Sequence, residues 1–293
     1  TSLGVICMLI TKDLIITFEN DIGNIDISLF SEYTLTNFEE DLQNSITTIK
    51  QNLIHGNTYV SNTLDDRYIT INGIIECNKY SEQLRLKLIR IFNPNLKGKL
   101  ILQKSNKYYK TIDVYVEKVI EPKANKGIIN FEINLVALSP FWQDKVVTEY
   151  LALLTPTLKF PLNIPQKRGI TFARRRSILE SEVENIGDVE SGFKVIFKAK
   201  GGTVKSPKVY NVYTKQFIKI NYKMKKGDIL EIINYPEIKK VTLNGVENAF
   251  KHLDIESNFF NLKIGHNKIG YIAEENTINL DVILWYSPRY LGV

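Results

Sequence analysis

The sequence is poor in the residues that most often bind metals or form disulfides. Of 293 residues only two are cysteine and three are histidine, and His55, His252 and His266 stand far apart. Structural zinc sites use closely spaced ligands, so metal chemistry is not expected. Cys7 and Cys77 each lie in a strand-like apolar context and are predicted to be buried thiols, which suits a reducing compartment.

Long hydrophobic runs are also absent. No stretch approaches the roughly 20 apolar residues that a membrane helix needs, and the N-terminus lacks the basic start and small-residue cleavage site of a secretory signal. These absences predict a soluble protein that is not exported through a signal peptide and has no membrane partner. Hydrophobic residues still make up 44% of the chain, and its wealth of Ile, Val, Thr and Tyr favours β-structure.

Familiar catalytic motifs are missing as well. No G-x-S-x-G, P-loop or G-x-G-x-x-G pattern occurs. Asp65 and Asp66 beside Arg67 are a weak acid/base candidate, because adjacent residues of a strand point to opposite faces. "GGT" at 201–203 is predicted to be a hairpin tip, and "ARRR" at 173–176 a charged strand start rather than a phosphate grip. The sequence predicts neither an enzyme nor a cofactor.

Charge is distributed unevenly along the chain. The net charge is +6, but residues 1–66 contain ten acidic residues against two lysines, a net charge of −8, whereas residues 145–293 carry +8. Nucleic-acid binding would require a concentrated basic patch with interleaved aromatic residues. The C-terminal lysines are instead spread along alternating strands, where a solvated outer face is the simpler location.

Period-two alternation dominates the first half of the chain. The runs 99–105, 108–120 and 128–138 alternate apolar and polar residues and predict a three-stranded antiparallel meander. Residues 45–51 lie in a segment that fits either a helical stripe or a strand, and the β-branched "ITTI" favours the strand.

One segment, "SEQLRLKLIRIFNP", has a clear helical period. Ser81 is the expected N-cap and Pro94 the expected stop. The apolar face of this helix is predicted to consist of Leu84, Leu88, Ile91 and Phe92.

Prolines interrupt the pattern from about 145 to 170. Pro156, Pro161 and Pro165 are typical of an interdomain connection or a crossing strand. The length of the chain also favours about two domains. The predicted division is an N-terminal domain at 1–145, a connecting segment at 146–170 and a C-terminal domain at 171–293.

The C-terminal domain contains many short strand-like runs and no helical pattern, which predicts a β-sandwich. Asn244-Gly245 is its strongest hairpin signal, because both residues tolerate the positive φ of a type I′ turn. Trp285 and Tyr286 could form a sugar platform. Their apolar strand makes the core the expected place for Trp285, although the period of two sends one of the pair outward.

Several segments, in order, resemble one protein family. "GNTYVSNTLDDRYITINGII" (56–75), then the helix with "FNPNLKGKLIL" (92–102), then "FEINLVALSPFW" (131–142) are similar to the N-terminal domain of phage distal tail proteins, also called Dit or siphovirus tail-component proteins. Segments 185–201 and 282–293 look like the second domain of that family. The residues that match the family pattern N-x-L-x-x-R-x-I-x-I-x-G are Asn62, Leu64, Arg67, Ile69, Ile71 and Gly73. The helix end and the turn after it match at Asn93, Pro94 and Gly98.

This resemblance implies a mainly β fold, with a β-sandwich-like ring domain that contains one α-helix and a galectin-like or jelly-roll β-sandwich that projects outward. It implies a structural virion protein, assembled in the bacterial host cytoplasm, that forms a hexameric ring at the end of the tail tube. Such a ring is a hub for the tube, the tail-tip or baseplate proteins and the receptor-binding proteins. It needs no cofactor, and DNA contacts it only in passage.

Two sets of residues are candidates for a role in such a hub. Phe141 and Trp142 follow Ser139-Pro140, where the chain would leave the ring domain, and are expected either to anchor the domain junction or merely to cover a loop. The N-terminal acids are expected either to line the lumen, because a basic wall would bind DNA phosphates, or to solvate an outer edge. The candidate lumen acids are Asp13, Glu19, Asp21, Asp26 and Glu32.

Two other functions are alternatives to the hub. The C-terminal sandwich of a carbohydrate-binding adhesin would bind a glycan of the host cell wall. A tail-associated wall hydrolase would need a catalytic site, for which the sequence offers no credible residues.

Overall fold

The computed structural model describes residues 6–7, 11–51, 55–104, 108–118, 120–125, 127–156, 173–176 and 180–293. The chain forms two compact units. The first comprises Thr1–Asp144 and Tyr290–Val293, and the second comprises Lys145–Arg289. Within the described ranges, no helix is long and apolar enough to cross a membrane, and no three His, Cys, Asp or Glu side chains are grouped so that they could hold a metal ion.

The described residues of the first unit form one β-sheet and one helix. In chain order its strands are β1 Ile6–Cys7, β2 Leu14–Asn20, β3 Gly23–Ser28, β4 Tyr33–Ile49, β5 Thr58–Glu76, β6 Lys97–Lys104, β7 Tyr108–Val116, β8 Lys123–Asn125, β9 Ile128–Ala137 and β10 Trp142–Gln143. Helix α1 spans Ser81–Ile91 between β5 and β6. The mainly β fold with a helix at this place is confirmed.

The sheet of the first unit closes on itself. Its strand order is β7-β6-β2-β3-β4-β5-β9, and β9 returns to β7 through the pairs Tyr115 with Val136 and Val116 with Leu135. Closure removes exposed strand edges and encloses a core. The alternation of apolar residues places one face of each strand inside, and this core includes Leu14, Ile16, Phe18, Ile25, Ile27, Phe38, Ile69, Ile71, Leu100, Leu102, Ile112, Val114, Ile133 and Leu135.

The predicted meander is correct for β6 and β7, which pair along their whole length, but the main partner of β9 is β5. β9 pairs with β5 from Arg67 to Glu76 and with β7 at only two positions. Pairing between strands more than fifty residues apart depends on the closed sheet and leaves no local signal. The strand prediction for residues 45–51 is confirmed as far as Ile49, the end of β4.

Helix α1 begins one residue earlier than its sequence predicts. Tyr80 occupies the cap position without a side-chain cap, and Ser81 is already helical, so the Ser81 N-cap prediction is wrong. The reason is a turn at Asn78, whose side-chain oxygen accepts a hydrogen bond from the Tyr80 N–H at 2.8 Å. The predicted apolar face is confirmed, since Leu88, Ile91 and Phe92 are buried in the core and Leu84 packs against it.

Cys77 is exposed, so the prediction of a buried thiol is wrong for this residue. β5 ends at Glu76, and the inward alternation of the strand therefore stops before Cys77. The side chain of Cys7 lies outside the described residues.

The described strands of the second unit form two sheets. In chain order its strands are β11 Val147–Pro156, β12 Ala173–Arg176, β13 Glu180–Asn185, β14 Phe193–Ala199, β15 Val204–Asn211, β16 Phe217–Lys219, β17 Lys223–Met224, β18 Ile229–Tyr235, β19 Ile238–Leu243, β20 Glu247–Asn248, β21 Gly265–Glu275 and β22 Leu280–Tyr286. Short 3-10 helices span Phe250–His252 and Thr277–Asn279. The last strand of the chain, β23 Arg289–Tyr290, lies beside β10 in the sheet of the first unit.

The two sheets of the second unit enclose one core, which is the arrangement of a β-sandwich. One sheet has the order β12-β11-β22-β14-β18-β19-β20, and the other has the order β13-β21-β15-β16 with β17 beside β15. The shared core includes Val195, Phe197, Leu230, Ile232, Ile269, Tyr271, Val282 and Leu284. The predicted turn between β19 and β20 is confirmed by positive φ at Asn244 and Gly245.

Two local predictions for the second unit need correction. "GGT" at 201–203 is not a hairpin tip, because β14 and β15 on either side of it belong to different sheets. The segment 146–170, predicted as a connection or a crossing strand, begins with strand β11, which pairs with β22; residues 157–172 lie outside the described ranges, and the role of the segment as a connection stays a prediction. Tyr286 is the core residue of its pair, whereas Trp285 is half-buried on the outer face. "ARRR" does form a strand, β12, whose side chains are not described.

Candidate functional site

A charged pair is buried inside the first unit. Glu40 on β4 and Arg67 on β5 are only 4% and 1% exposed, and Arg67 Nη1 donates to Glu40 Oε2 at 2.6 Å. β4 and β5 pair Glu40 with Ile69 and Leu42 with Arg67, so the two charged side chains are diagonal neighbours on the inward face. Each side chain occupies an inward position of its strand, where the alternation would otherwise place an apolar residue.

The remaining polar atoms of this pair are bonded to two distant segments. Trp142 Nε1 donates to Glu40 Oε1 at 3.0 Å, so each carboxylate oxygen accepts a hydrogen bond. Arg67 Nε donates to the carbonyl of Pro140 at 2.7 Å, and Arg67 Nη2 donates to the carbonyl of Leu291. A buried ion pair is stable only when its other hydrogen-bonding groups are satisfied, and these contacts meet that condition.

Burial shifts the titration of both partners. It raises the pKa of the Glu40 carboxyl, against the opposing effects of the Arg67 charge and the hydrogen bonds from Trp142 and Arg67. Burial also lowers the pKa of the Arg67 guanidinium, and the Glu40 charge opposes this shift. Desolvation penalises the charged form in each case. Removal of either side chain would therefore leave the other charge buried without compensation.

A second cation lies close to the same segments. The Lys110 ammonium, on β7, is 2.7 Å from Asp144 Oδ2 and 3.4 Å from the centroid of the Tyr290 ring. The Tyr290 hydroxyl is 3.4 Å from the same carboxylate oxygen. We call residues 139–144 the exit segment and residues 290–293 the return segment. Arg67 and Lys110 each contact both segments. We call these two residues, their contacts with both segments, and Glu40 and Trp142 the clamp of the first unit.

The predicted anchor residues fall within this region. Trp142 is completely buried in the core of the first unit and Phe141 is half-buried. A role for either residue in the orientation of the two units stays a prediction. Sequence reasoning missed Glu40, and it considered Arg67 only beside Asp65 and Asp66 and as part of the family pattern, without a partner for its charge. A charge at an inward position of each strand is the signal that could have identified the pair. Phe38 lies two positions before Glu40 and Ile69 two positions after Arg67, and both are buried.

The candidate lumen acids lie on or beside the β2–β3 hairpin. Asp13 precedes β2, Glu19 is on β2, Asp21 is in the turn, Asp26 is on β3 and Glu32 precedes β4. All are exposed except Glu19, which is half-buried and 4.0 Å from Lys99 Nζ. Asp26 accepts a hydrogen bond from Thr17 Oγ1 at 2.6 Å across the hairpin. The fold thus brings Glu19, Asp21 and Asp26 onto one short element, which we call the acidic hairpin.

A long two-stranded arm extends from the closed sheet. Its described parts are residues 43–51 and 55–66, and within the described chain no third strand pairs with either side of it. Its exposed apolar residues are Ile46, Ile49, Tyr59 and Val60, each with about half or more of its surface in solvent. An isolated two-stranded ribbon is only marginally stable in water, and unpaired strand edges are templates for pairing with another chain.

The outer sheet face around Trp285 does not present a free aromatic platform. The Lys194 ammonium lies 4.4 Å from the Trp285 ring, and it also pairs with Glu231 at 2.5 Å. A sugar that stacked on this face would have to displace the ammonium group.

Two family models match the chain in order. The phage tail protein RIFT-related domain matches residues 21–137, and the siphovirus-type tail component, C-terminal domain, matches residues 186–290. Comparison with curated proteins gives no match.

Solved structures of phage tail proteins share this fold. The Dit protein (gp 19.1) of phage SPP1 is 11% identical, with 94% of this chain and 99% of that chain covered and a TM-score of 0.66. A chain of the phage P2 baseplate, solved in its activated conformation with Ca, is also 11% identical, with coverage of 96% and 99% and a TM-score of 0.54. At this identity the likeness shows the fold alone. The two family models add matches in sequence to most of both units, in the same order, and the chain therefore belongs to the siphovirus-type tail component family as a phage distal tail protein.

Proposed function

We propose that this chain is the distal tail hub of a virion, a structural protein that closes into a ring of six copies between the tail tube and the tail-tip or baseplate proteins. Family membership supports a structural role in a phage tail. The similar protein of phage SPP1 is described as a paradigm of the hub adsorption apparatus in phages that infect Gram-positive bacteria, and the second similar chain is part of a baseplate. The tube protein, the tail-tip proteins and receptor-binding proteins are the partners of such a hub.

The exposed arm is the observation that carries this proposal. Its strands are rich in Thr, Ser, Asn and Ile, and its described residues include only Lys50, Asp65 and Asp66 as charged side chains. A ribbon of high β propensity and low charge is an aggregation hazard when its edges are uncovered. In a ring built from one head-to-tail contact, every arm is covered by the neighbouring copy, and rotation closes the assembly without leaving a free arm.

The acidic hairpin, with Asp13 and Glu32 beside it, is proposed to contribute to the wall of the channel. Among the described residues, no ion pair neutralises Asp13, Asp21, Asp26 or Glu32, and Glu19 has only the distant contact with Lys99. A ring repeats these charges in every copy. A basic wall would bind DNA phosphates and release their counterions, which would hold back a genome in passage, whereas an acidic wall repels the DNA. Salt limits this repulsion, since the Debye length is about 8 Å at physiological ionic strength.

Native mass spectrometry of the full chain tests the ring. Six chains per particle are expected, with Ile49→Glu reducing the ring fraction because it places a charge on the covered arm. Ile272→Glu is the matched control, since Ile272 is a similarly exposed isoleucine on strand β21 of the second unit. A monomer at all concentrations, or equal losses in the two variants, would contradict the proposal.

A density map of the assembled tail tests the channel wall. The acidic hairpin is expected to face the lumen of a six-membered ring. A lumen lined mainly by lysines from residues 194–268 would overturn this part of the proposal and would leave the ring itself intact.

A further inference from the structure

The first unit is assembled from two pieces of sequence that are made at different times. Residues 1–144 are synthesised first, and residues 290–293 follow only after the whole of the second unit. The return segment is a small piece, but Tyr290 and Val293 pack against the core of the first unit. Until these residues emerge, that core has an uncovered side.

Arg67 binds the return segment directly, through a hydrogen bond to its backbone. Its guanidinium binds the Pro140 carbonyl in the exit segment and the Leu291 carbonyl in the return segment at the same time. Arg67 is almost completely buried, so the missing carbonyl of Leu291 would leave a buried donor unsatisfied. Lys110 would lose the Tyr290 ring as well and would keep Asp144 and the more distant Tyr108 ring.

The clamp lies at the base of the arm. Arg67 pairs with Leu42 on one side and with Ala137 on the other, and Ala137 is the last residue of β9 that pairs with β5. Beyond these pairs β4 and β5 continue alone as the arm. The ion pair between Glu40 and Arg67 therefore joins the two strands at the point where the arm leaves the closed sheet.

We propose that the return segment is an assembly checkpoint, in which docking of residues 290–293 on Arg67 and Lys110 fixes the base of the arm and makes the first unit competent to form a ring. The proposal rests on the proposed ring function. Chains that lack residues 290–293 have an incomplete clamp and do not enter the ring. Chains that contain these residues complete the clamp and assemble.

The test compares the full chain with a chain that ends at Arg289, both carrying Trp285→Phe so that Trp142 is the sole tryptophan. Trp142 donates to Glu40, so its emission reports on the clamp directly. In the shortened chain the Trp142 emission shifts to longer wavelength, and the concentration for half-assembly rises by at least about tenfold, because only the competent fraction can assemble. A synthetic peptide of residues 289–293 restores both signals.

Tyr290→Ala in the full chain is the second variant, in case the shortened chain does not fold. It removes the ring over Lys110, keeps the Leu291 carbonyl, and raises the half-assembly concentration, whereas Tyr213→Ala, at an exposed tyrosine of the second unit, does not. Normal ring formation and unchanged Trp142 emission in both clamp variants would overturn the checkpoint and leave the hub function intact. A full chain that forms no ring, but whose Trp142 emission still depends on the return segment, would instead remove the proposed function and retain the clamp.

Discussion

The indole nitrogen of Trp142 donates a hydrogen bond to Glu40 Oε1 at 3.0 Å, across 102 positions of sequence. Glu40 belongs to β4, whereas Trp142 follows the end of β9 and the Ser139-Pro140 step. β9 ends at Ala137, Pro140 cannot resume the ladder because it lacks an N–H, and the tryptophan beyond it supplies the second donor for a buried carboxylate. The aromatic residue is therefore part of the clamp, and its role at the domain junction stays a prediction.

Replacement of Trp142 should destabilise the first unit. Trp142→Ala is expected to lower the free energy of unfolding by about 3–5 kcal/mol, because the side chain is fully buried. Trp142→Phe retains much of the packing but leaves a buried Glu40 oxygen without its donor, for a loss of about 1–3 kcal/mol. Urea denaturation measures both changes. Trp285→Phe is the control at a half-buried site, and an unchanged midpoint for Trp142→Ala would contradict the burial.

The Glu40–Arg67 pair should behave as a buried unit. Glu40→Gln is expected to cost about 3–5 kcal/mol of unfolding free energy, because it leaves the guanidinium without its counter-charge. The double variant Glu40→Leu with Arg67→Met should recover a large part of that loss. Asp113→Asn is the control, because it breaks a half-exposed ion pair with Lys97 and should change stability by only about 0–1 kcal/mol. Similar losses for the buried and exposed pairs would contradict the role of desolvation.

Gly73 should not tolerate a side chain. A Cβ at this position would lie 2.3 Å from Phe131 Cζ and 2.7 Å from the Thr34 carbonyl oxygen, so backbone would have to move. Gly73→Ala is expected to lower the free energy of unfolding by about 1–3 kcal/mol, as overpacking does. Asn72→Ala, at the adjacent outward position, is the control in thermal or urea denaturation. A neutral Gly73→Ala would show that β4 can shift away from β5.

Tyr33 should make stability depend on alkaline pH. Burial, with the nearby negative charge of Glu32, raises the pKa of Tyr33 to about 12, and its hydroxyl donates to the Leu84 carbonyl at 3.0 Å. The unfolded residue titrates near 10, so its contribution to stability is complete below pH 10 and is lost as the pH rises towards 12. Urea midpoints across this range should fall more steeply for the wild type than for Tyr33→Phe. Tyr213→Phe should retain the wild-type slope, and identical slopes in all three proteins would contradict the shift.

Local patterns determined a large part of the architecture. Period-two alternation located β6, β7 and β9 and indicated the many short strands of the second unit, the apolar stripe of α1 was correct, and Asn244-Gly245 forms its turn, because backbone preference and the alternation of side chains act over a few residues. The family resemblance also has a local basis. Arg67, Ile69, Ile71 and Gly73 occupy consecutive inward positions of β5, where burial restricts the residue type.

The tertiary structure alone decided which distant segments meet. The partner of β9, the crossing of "GGT" between two sheets and the exposure of Cys77 all depend on where a strand ends and which strand lies beside it. The contact from Arg67 to Leu291 spans 224 positions of sequence and has no local signature. A guanidinium can be buried only if acceptors from several segments converge on it, and that convergence exists only after the closed sheet has formed and the return segment has docked.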